Sequence, residues 1–475
     1  ALPRDVELHY PDFRELRERE GRPLPDHVPD EFDAYLKCGR LEEGFLRVRG
    51  GSCNPEKLVA FSCKKRGLCP SFGGRCMAET AALLADEVLP ERPLRQSVLS
   101  LPHARRFLLA TDLDSLTLAL RTVYRTISGF QLTRAGMTRA TGYPGAVTLI
   151  QRFGSALNPN VHFHMIFLDG VYVPVDGASA VFRHLPAPTG TELADLVRQI
   201  AQRLGKVLER RALVERDMEN AWLATLGAEG PLDDLIGHAI TYRIAVGPRT
   251  GQKLSTLQTV SAMPEEAGQQ GDQHNAANVG GFSLHAGLDI QPHQREKLER
   301  LFRHVAWPPI AVERLALTSS GQMRYPLKTT CRDGTTHIVL DPLDLVARLA
   351  ARVPPLRMHL TRFHGVFAPH SKLRVVVTPA HRDVGSKGQG ADHSTDKPIT
   401  PRHVAMTRTQ RLKCVFGVEI NTCLRCAARL KVIARIEEPE VIAKILAHRE
   451  KAAPDHEQRE LPLGTRAPLT QARLI

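Results

Sequence analysis

The segment over residues 160–170, Asn-Val-His-Phe-His-Met-Ile-Phe-Leu-Asp-Gly, constrains the fold of this chain more than any other. It is apolar, rich in strand formers and closed by an Asp-Gly turn signal, so it predicts a buried strand. Side chains alternate faces along a strand, which puts His162 and His164 on one face and Phe163 on the other. Two neutral imidazoles held close together form half of a first-row metal site. Taken alone, the pair favours the alternative of hydrogen-bonded histidines at a strand edge.

The length and composition are those of an ordinary globular protein. The chain has 475 residues, enough for about two to four domains with a sizeable core. Its hydrophobic share of 42% and its charged share of 24% are typical of such proteins. No apolar run reaches the length of a membrane span, and the first residues lack the apolar core of a signal peptide. We therefore expect a cytoplasmic protein.

The charge balance indicates a polyanionic partner. There are 64 Lys and Arg against 51 Asp and Glu, which gives a net charge of +13. Each phosphate that such a surface neutralises releases condensed counterions, so nucleic acid is the natural partner. Basic composition by itself is a weak signal, because many proteins reach it without binding nucleic acid.

The nine cysteines are clustered along the chain. In a cytosolic protein, clustered cysteines suggest metal sites more than disulfides. Cys331 stands alone. The early group is Cys38, Cys53, Cys63, Cys69 and Cys76, and the late group is Cys414, Cys423 and Cys426.

Strands separated by helices predict an α+β fold with an antiparallel sheet core, although periodicity does not settle the strand order. A weaker helix over 232–246 would carry His238 and Tyr242 on one face. The other predicted helices cover parts of 1–50, 77–89, a stretch ending near 130, 191–213 and 294–305. The predicted strands cover 97–102, 146–152 and 161–168, and polar linkers are predicted over 265–278 and 383–400.

Several blocks of the sequence resemble rolling-circle transposases of the ninety-one group of insertion sequences. These transposases are HUH nucleases, named for histidine, hydrophobic residue, histidine. Seven blocks in the same order make the resemblance more specific than one short motif. The blocks cover residues 95–102, 147–155, 160–164, 281–285, 328–337, 362–369 and 371–374.

The resemblance implies a chemistry that suits these residues. His162 and His164 would hold a divalent metal, magnesium or manganese, with Gln151 as a candidate third ligand. The metal would polarise the scissile phosphate of single-stranded or hairpin DNA at an element end. A tyrosine would then attack and leave a 5′-phosphotyrosyl link with a free 3′-OH. The residues of the late block expected to contact DNA are Arg362, His364, Lys372 and Arg374.

The nucleophile position departs from the family pattern. The family's tyrosine lies on a helix within Leu-Cys-Arg-Tyr-Ile-x-Arg-Pro, and residues 301–308 read Leu-Phe-Arg-His-Val-Ala-Trp-Pro. His304 therefore stands where the catalytic tyrosine is expected, and Trp307 stands at a position that is usually basic. A lost nucleophile is the favoured interpretation. Tyr242 is a candidate substitute, and its alternative is a core tyrosine with a polar tip.

The cysteine module departs from the family as well. The resemblance implies a zinc site built from an early Cys-x-x-Cys and a later Cys-Pro-Ser-Cys. Gly50 and Phe72 replace the outer two cysteines, which leaves Cys53 and Cys69 as the matching ligands. Cys63 and Cys76 are near enough in sequence to complete a rearranged zinc site, and free thiols in a basic helical module are the alternative. The late pair Cys423 and Cys426 is half of a further zinc site.

The sequence therefore predicts a rolling-circle DNA transposase, in a copy impaired at its nucleophile. A DNA-binding descendant without catalytic activity is the main alternative, and a metal-dependent hydrolase that uses only the histidine pair is another. The predicted domains are a helical and cysteine-rich zinc-binding-like domain (1–92), an HUH catalytic domain (93–382), a linker (383–402) and a basic module with Cys-x-x-Cys (403–475).

Overall fold

The computed structural model describes residues 2–452 except for a set of gaps. The gaps are 53–55, 64, 66, 155, 176–178, 217–220, 224–229, 259–275, 307–313, 328–333, 356–357, 381–422, 424–427 and 429. The predicted linker over 383–402, and with it Cys53, Trp307, Cys331, Cys414 and Cys426, lies outside the described residues.

Eleven α-helices occur among the described residues. They are α1 (Leu2–Arg19), α2 (His27–Lys37), α3 (Pro70–Leu83), α4 (His103–Thr111), α5 (Leu113–Arg134), α6 (Gly190–Arg210), α7 (Asp233–Ile240), α8 (Arg295–Val305), α9 (Pro342–Ala350), α10 (Arg374–Val377) and α11 (Pro439–Ala452). Local sequence explains where the longest of them begin. The Asp112 side chain caps α5 by accepting two backbone N–H groups, and Thr189 forms a capping box with Glu192 at α6.

The strands of the described residues form five sheets. They are β1 (Phe45–Gly50), β2 (Glu56–Ala60), β3 (Leu94–Ser100), β4 (Gly145–Phe153), β5 (Pro159–Leu168), β6 (Gly170–Pro174), β7 (Ala180–His184), β8 (Val214–Arg216), β9 (Ala221–Leu223), β10 (Ser255–Gln258), β11 (Ala276–Val279), β12 (Phe282–Ile290), β13 (Ala316–Leu317), β14 (Met323–Pro326), β15 (Thr335–Leu340), β16 (Thr361–Gly365) and β17 (Leu430–Ile436).

The largest sheet has six strands in the order β11, β12, β3, β5, β4, β16, and all neighbours are antiparallel. The strand with the histidine pair, β5, is therefore interior to the sheet and bonded on both edges. Helices pack on both of its faces, which explains why its sequence is almost continuously apolar. The predicted α+β fold with an antiparallel core is confirmed.

The two faces of β5 enter different apolar clusters. Phe163 and Met165 point into the larger cluster, against α4, α5, α6 and α7, and we call this side the core face. Ile166 and Leu168 point into a second cluster, against α3 and α8. His162 and His164 share that side by strand alternation, so we call it the histidine face.

A separate three-stranded sheet joins the two ends of the chain. Its order is β17, β1, β2, and Phe45 of β1 pairs with Ile436 of β17. Phe45 and Leu58 pack with Ile442 of α11 in a small core. The described part of the predicted C-terminal module thus folds onto the cysteine-rich N-terminal region.

Three local predictions were wrong in part, and long-range pairing explains two of them. The helical region predicted over 1–50 ends at Lys37, because residues 45–50 are recruited as β1 between β2 and β17. The last residues of the linker predicted over 265–278 belong to β11, which pairs with β12. The helix predicted over 232–246 ends at Ile240, and Tyr242 then takes a left-handed conformation with φ of 57°.

Candidate metal and DNA-processing site

The histidine pair lies in a grid of side chains on the histidine face. The two imidazole rings have centroids 4.9 Å apart. In the order β4, β5, β3, β12, one row is Leu149, His164, Val98 and His285, and the next is Gln151, His162, Ser100 and Ser283. The second row and His285 are half-buried or exposed, so this end of the histidine face is open to solvent.

His162 is oriented by its own strand. Its Nδ1 lies 2.7 Å from the carbonyl oxygen of Asn160, to which Nδ1–H donates. Burial lowers the pKa of His162, and the positive charge of Arg106 acts in the same direction. The ring is therefore neutral near pH 7, and the tautomer set by Asn160 leaves the lone pair of Nε2 for a ligand.

His164 is held between two glutamine side chains. Its Nε2 lies 3.0 Å from Oε1 of Gln151 on β4, and its Nδ1 lies 3.0 Å from Nε2 of Gln96 on β3. Neither glutamine is directly opposite His164 in the sheet, because Gln151 pairs with His162 and Gln96 pairs with Ile166. Both contacts are diagonal, which the long glutamine side chain can span.

The donor atoms around the pair suit a divalent ion. Two ligand atoms about 2.1 Å from an octahedral ion, at right angles to each other, are about 3.0 Å apart. The 3.0 Å between His164 Nε2 and Gln151 Oε1 is a hydrogen-bond distance, and the same separation would accommodate such an ion. Imidazole nitrogens favour manganese or another transition metal over magnesium, and the amide oxygen suits either ion. His162, His164 and Gln151 are therefore the residues that would hold the metal that the resemblance implies.

Helix α8 packs on the histidine face of the sheet. Its buried residues Leu298, Phe302 and Val305 pack in the same apolar cluster as Ile166. His304 lies in the last turn of this helix, on its exposed side. The helix that carries the expected nucleophile position therefore belongs to the layer over the histidine face.

Tyr242 lies beyond the helix on which it was predicted. It follows the end of α7, and α7 packs on the core face through Leu235 and Ile236. The side chain of Tyr242 is 40% exposed. Burial lowers the pKa of Arg106, while Tyr242 acts to raise it, and Arg106 also influences His162. Tyr242 is thus within electrostatic range of an arginine beside the pair.

The other tyrosines are engaged elsewhere. Tyr10, Tyr35, Tyr172 and Tyr325 are buried, and the Tyr143 hydroxyl donates to the carbonyl of Ala140. Tyr124 stacks on His364, with ring centroids 4.6 Å apart. Burial raises the pKa of Tyr124, which makes its phenolate harder to form.

The predicted DNA-contacting block divides between surface and interior. Lys372 is exposed, and Arg362 is half-buried. Arg374 stacks on the ring of Phe363 and donates to the carbonyl of Phe367, so its guanidinium has a structural role. Lys372 is thus the most exposed cation that this block offers to a DNA backbone.

His364 is turned away from the histidine face. It lies on β16 and pairs with Ala146 of β4, which directs its side chain to the core face. Its Nε2 lies 3.1 Å from the hydroxyl of Thr148. Burial lowers the pKa of His364 to about 4, with a smaller effect of Arg362 in the same direction. His364 is therefore a neutral packing residue in this conformation.

Three cysteines of the N-terminal region converge on one point. The sulfur atoms of Cys38, Cys63 and Cys69 all lie within 4.8 Å of one another, and Cys38 Sγ is 3.6 Å from Cys69 Sγ. Thiolates of a tetrahedral zinc site, about 2.3 Å from the ion, are about 3.8 Å apart. The distances and the donor type therefore fit zinc.

The cluster among the described residues overlaps in part with the predicted ligand set of Cys53, Cys63, Cys69 and Cys76. Cys63 and Cys69 belong to the cluster, but Cys38 joins them in place of Cys76, which lies further along α3. Cys53 lies outside the described residues. Cys38 directly follows the last residue of α2. It is distant in sequence from the cysteines of the family motif, so the sequence did not predict it as a ligand.

The contacts among the three cysteines shift their pKa values in opposite directions. Hydrogen bonds from Cys63 and Cys69 lower the pKa of Cys38 to about 3, and the backbone N–H of Cys63 adds to this. The same contacts raise the pKa of Cys69, and contact with Cys38 raises that of Cys63 to about 11. One thiolate surrounded by two thiols is ready to accept a thiophilic cation.

Among the described helices, none is both long and apolar enough to cross a membrane.

Comparison with known proteins gives two matches to family models. Residues 6–101, which include the three converging cysteines, match the model described as "Transposase zinc-binding domain". Residues 145–374, which include His162, His164, Gln151 and α8, match the model described as "Putative transposase". No curated protein and no solved structure matches the chain. The two matches lie in the same order as the zinc-binding and transposase regions that the sequence predicts, and together they make this chain similar to DNA transposases that carry a zinc-binding domain.

Proposed function

We propose that this chain is a DNA transposase that acts by a rolling-circle mechanism on single-stranded or hairpin DNA at the ends of its element. The observation that carries the proposal is the arrangement of His162, His164 and Gln151 on one open end of a sheet face. Two imidazoles and an amide oxygen in this geometry fit one divalent ion.

The residues around the pair have distinct roles in this proposal. A bound magnesium or manganese ion would supply Lewis-acid polarisation of a phosphate oxygen. Asn160 keeps His162 in the tautomer whose Nε2 is a ligand. Arg106 lies close enough to lower the pKa of His162, so it adds positive charge to the surroundings of the pair. The open end of the face admits a flexible strand more readily than a rigid duplex.

We further propose that DNA cleavage is impaired in this copy. A histidine at position 304 lacks the hydroxyl that forms a phosphotyrosyl link, and histidine phosphoramidates are labile. Tyr242 is the substitute that remains, because it is exposed and in electrostatic range of Arg106. Phosphoryl transfer depends strongly on in-line placement, so loss of the hydroxyl costs orders of magnitude in rate.

A DNA-binding descendant without catalysis is the second candidate. It is favoured by the presence of His304 on α8, whose eleven residues contain no tyrosine. It keeps the net charge of +13 and the zinc-binding region, and both serve DNA binding without cleavage.

The formation of a covalent protein–DNA adduct separates the two candidates. The purified chain is incubated with labelled single-stranded element-end DNA and Mn²⁺, and then run on a denaturing gel. An adduct that requires His162 and His164 supports a working transposase. Salt-sensitive DNA binding without any adduct supports the non-catalytic descendant.

A further inference from the structure

Gln96 contacts His164 from the side opposite to Gln151. It lies on β3 and is 8% exposed. Its amide nitrogen is 3.0 Å from His164 Nδ1. The transposase chemistry described above gives this residue no role.

The position of Gln96 is otherwise an apolar one. Leu94, two residues earlier on the same face, is buried, and Ile166, directly opposite on β5, is buried as well. A side chain that served packing alone would be apolar here, since a buried amide is costly unless it is hydrogen-bonded. The contact with His164 explains why an amide is present.

The tautomer of His164 defines what that contact does. A neutral imidazole carries one proton, on Nδ1 or on Nε2. If Nε2 shares an ion with Gln151 Oε1, the proton must reside on Nδ1 and needs an acceptor. A half-turn of the Gln96 amide exchanges its nitrogen for its oxygen at the same 3.0 Å position, and the oxygen accepts that proton.

We infer that Gln96 is a positioning residue that fixes the ring orientation of His164 and accepts the Nδ1 proton of its metal-binding tautomer. The inference rests on the proposed metal site and adds a residue that does not itself touch the ion. Groups in this relation to a metal-binding histidine typically change metal affinity by about 10- to 100-fold when they are removed.

The test is Mn²⁺ titration by calorimetry on four proteins: the unmodified chain, Gln96→Leu, Gln96→Glu and Gln131→Leu. Gln131 is the matched control, because it is another buried glutamine with one hydrogen bond, to the carbonyl of Leu168, and it lies on α5. We expect Gln96→Leu to weaken binding by about 10- to 100-fold. We expect Gln96→Glu to bind at least as tightly as the unmodified chain, since a carboxylate accepts the Nδ1 proton, and Gln131→Leu to bind unchanged.

Two results would overturn the inference. One is unchanged affinity in Gln96→Leu. The other is an equal loss in Gln96→Glu and Gln96→Leu, because a packing defect would affect both variants alike.

A second measurement, on the metal-free protein, separates this inference from the proposed metal site. Nitrogen-15 NMR of the histidine rings reports the His164 tautomer without any ion. We expect one tautomer in the unmodified chain and a changed ratio in Gln96→Leu. If the unmodified chain fails to bind Mn²⁺, the metal site is wrong, and an unchanged tautomer ratio would then also refute the role of Gln96.

Discussion

His164 Nε2 and Gln151 Oε1 lie 3.0 Å apart, although the residue directly opposite Gln151 in the sheet is His162. The diagonal contact means that one glutamine reaches past its own partner to the second histidine. In a metal-free protein, the proton on Nε2 fills this contact. In the proposed metal site, a cation would replace that proton with little movement of either side chain.

Replacing both His162 and His164 by alanine should abolish Mn²⁺ binding, because Gln151 alone offers a single neutral oxygen. Calorimetry on the purified proteins measures this directly. His238→Ala is the control, since His238 lies on α7, away from the histidine face, with Nδ1 bonded to the carbonyl of Asp234. Equal Mn²⁺ affinity in the double variant and the unmodified chain would refute the metal site.

Cys38→Ser should remove zinc from the N-terminal region, whereas Cys76→Ser should retain it. The reason is geometric, because Cys38 lies within 4.8 Å of Cys63 and Cys69 and Cys76 is not in that cluster. Zinc content per chain can be measured with a chromophoric chelator after protease digestion. Thermal unfolding should show a lower melting temperature for Cys38→Ser alone. The opposite pattern of zinc content would restore the ligand set expected from the sequence.

The contrast between Cys38 and the histidine pair shows what the sequence could reveal. His162 and His164 are two residues apart, so strand alternation alone puts them on one face. Cys38 and Cys69 meet only because α2 and the loop before α3 fold together, and no local pattern encodes that contact. Gln96 was missed for the same reason, since its contact with His164 depends on the strand order.

The N-terminal sheet makes the same point at longer range. Val48 of β1 pairs with Val432 of β17, nearly four hundred residues later. Helix α8 was predicted to within one residue, because its apolar residues recur at helical spacing. Hydrophobic periodicity therefore predicted individual helices and strands in this chain. The pairing of strands far apart in sequence became visible only in the structure.

The stability of the folded chain should fall as the pH drops from about 6.5 towards 4, in part because of His364. Burial lowers the folded-state pKa of His364 to about 4, below the unfolded value of about 6.5. The unfolded state therefore binds the proton first, so the stabilisation is complete above about pH 6.5 and is lost on acidification through this window.

The slope that His364 contributes cannot exceed about 1.4 kcal/mol per pH unit. Denaturant unfolding at several pH values should show a shallower pH dependence for His364→Gln than for the unmodified chain. His370→Gln is the control, because His370 is exposed nearby. A parallel pH dependence in His364→Gln and the unmodified chain would show that His364 is not buried as described.

Binding to DNA should be salt-sensitive and should favour single strands or hairpins over plain duplex. Fluorescence anisotropy across a salt series gives the number of phosphates neutralised, at a slope of about 0.7 per phosphate for single strands. Lys372→Ala should reduce that slope by about one phosphate, because Lys372 is exposed. Arg374→Ala should chiefly lower stability, because Arg374 stacks on Phe363. A flat salt response or a preference for duplex would contradict the proposal.

Cleavage should be absent or very weak in the unmodified chain and should recover in His304→Tyr. The side chain of residue 304 projects from the last turn of α8, in the layer over the histidine face. A tyrosine there would restore a hydroxyl for in-line attack on a phosphate next to the histidine pair. A denaturing gel with labelled single-stranded DNA and Mn²⁺ measures the adduct. His304→Phe is the matched control, since it adds the ring without the hydroxyl.

The same gel tests the competing nucleophile. If the unmodified chain forms an adduct that Tyr242→Phe removes, Tyr242 is the nucleophile and the assignment of position 304 is wrong. If His304→Tyr stays inactive while both Mn²⁺ and DNA bind, then the loss of activity does not rest on residue 304 alone. Trp307, at a position that is usually basic in the family, is then the next residue to exchange, and we expect His304→Tyr combined with Trp307→Arg to form the adduct.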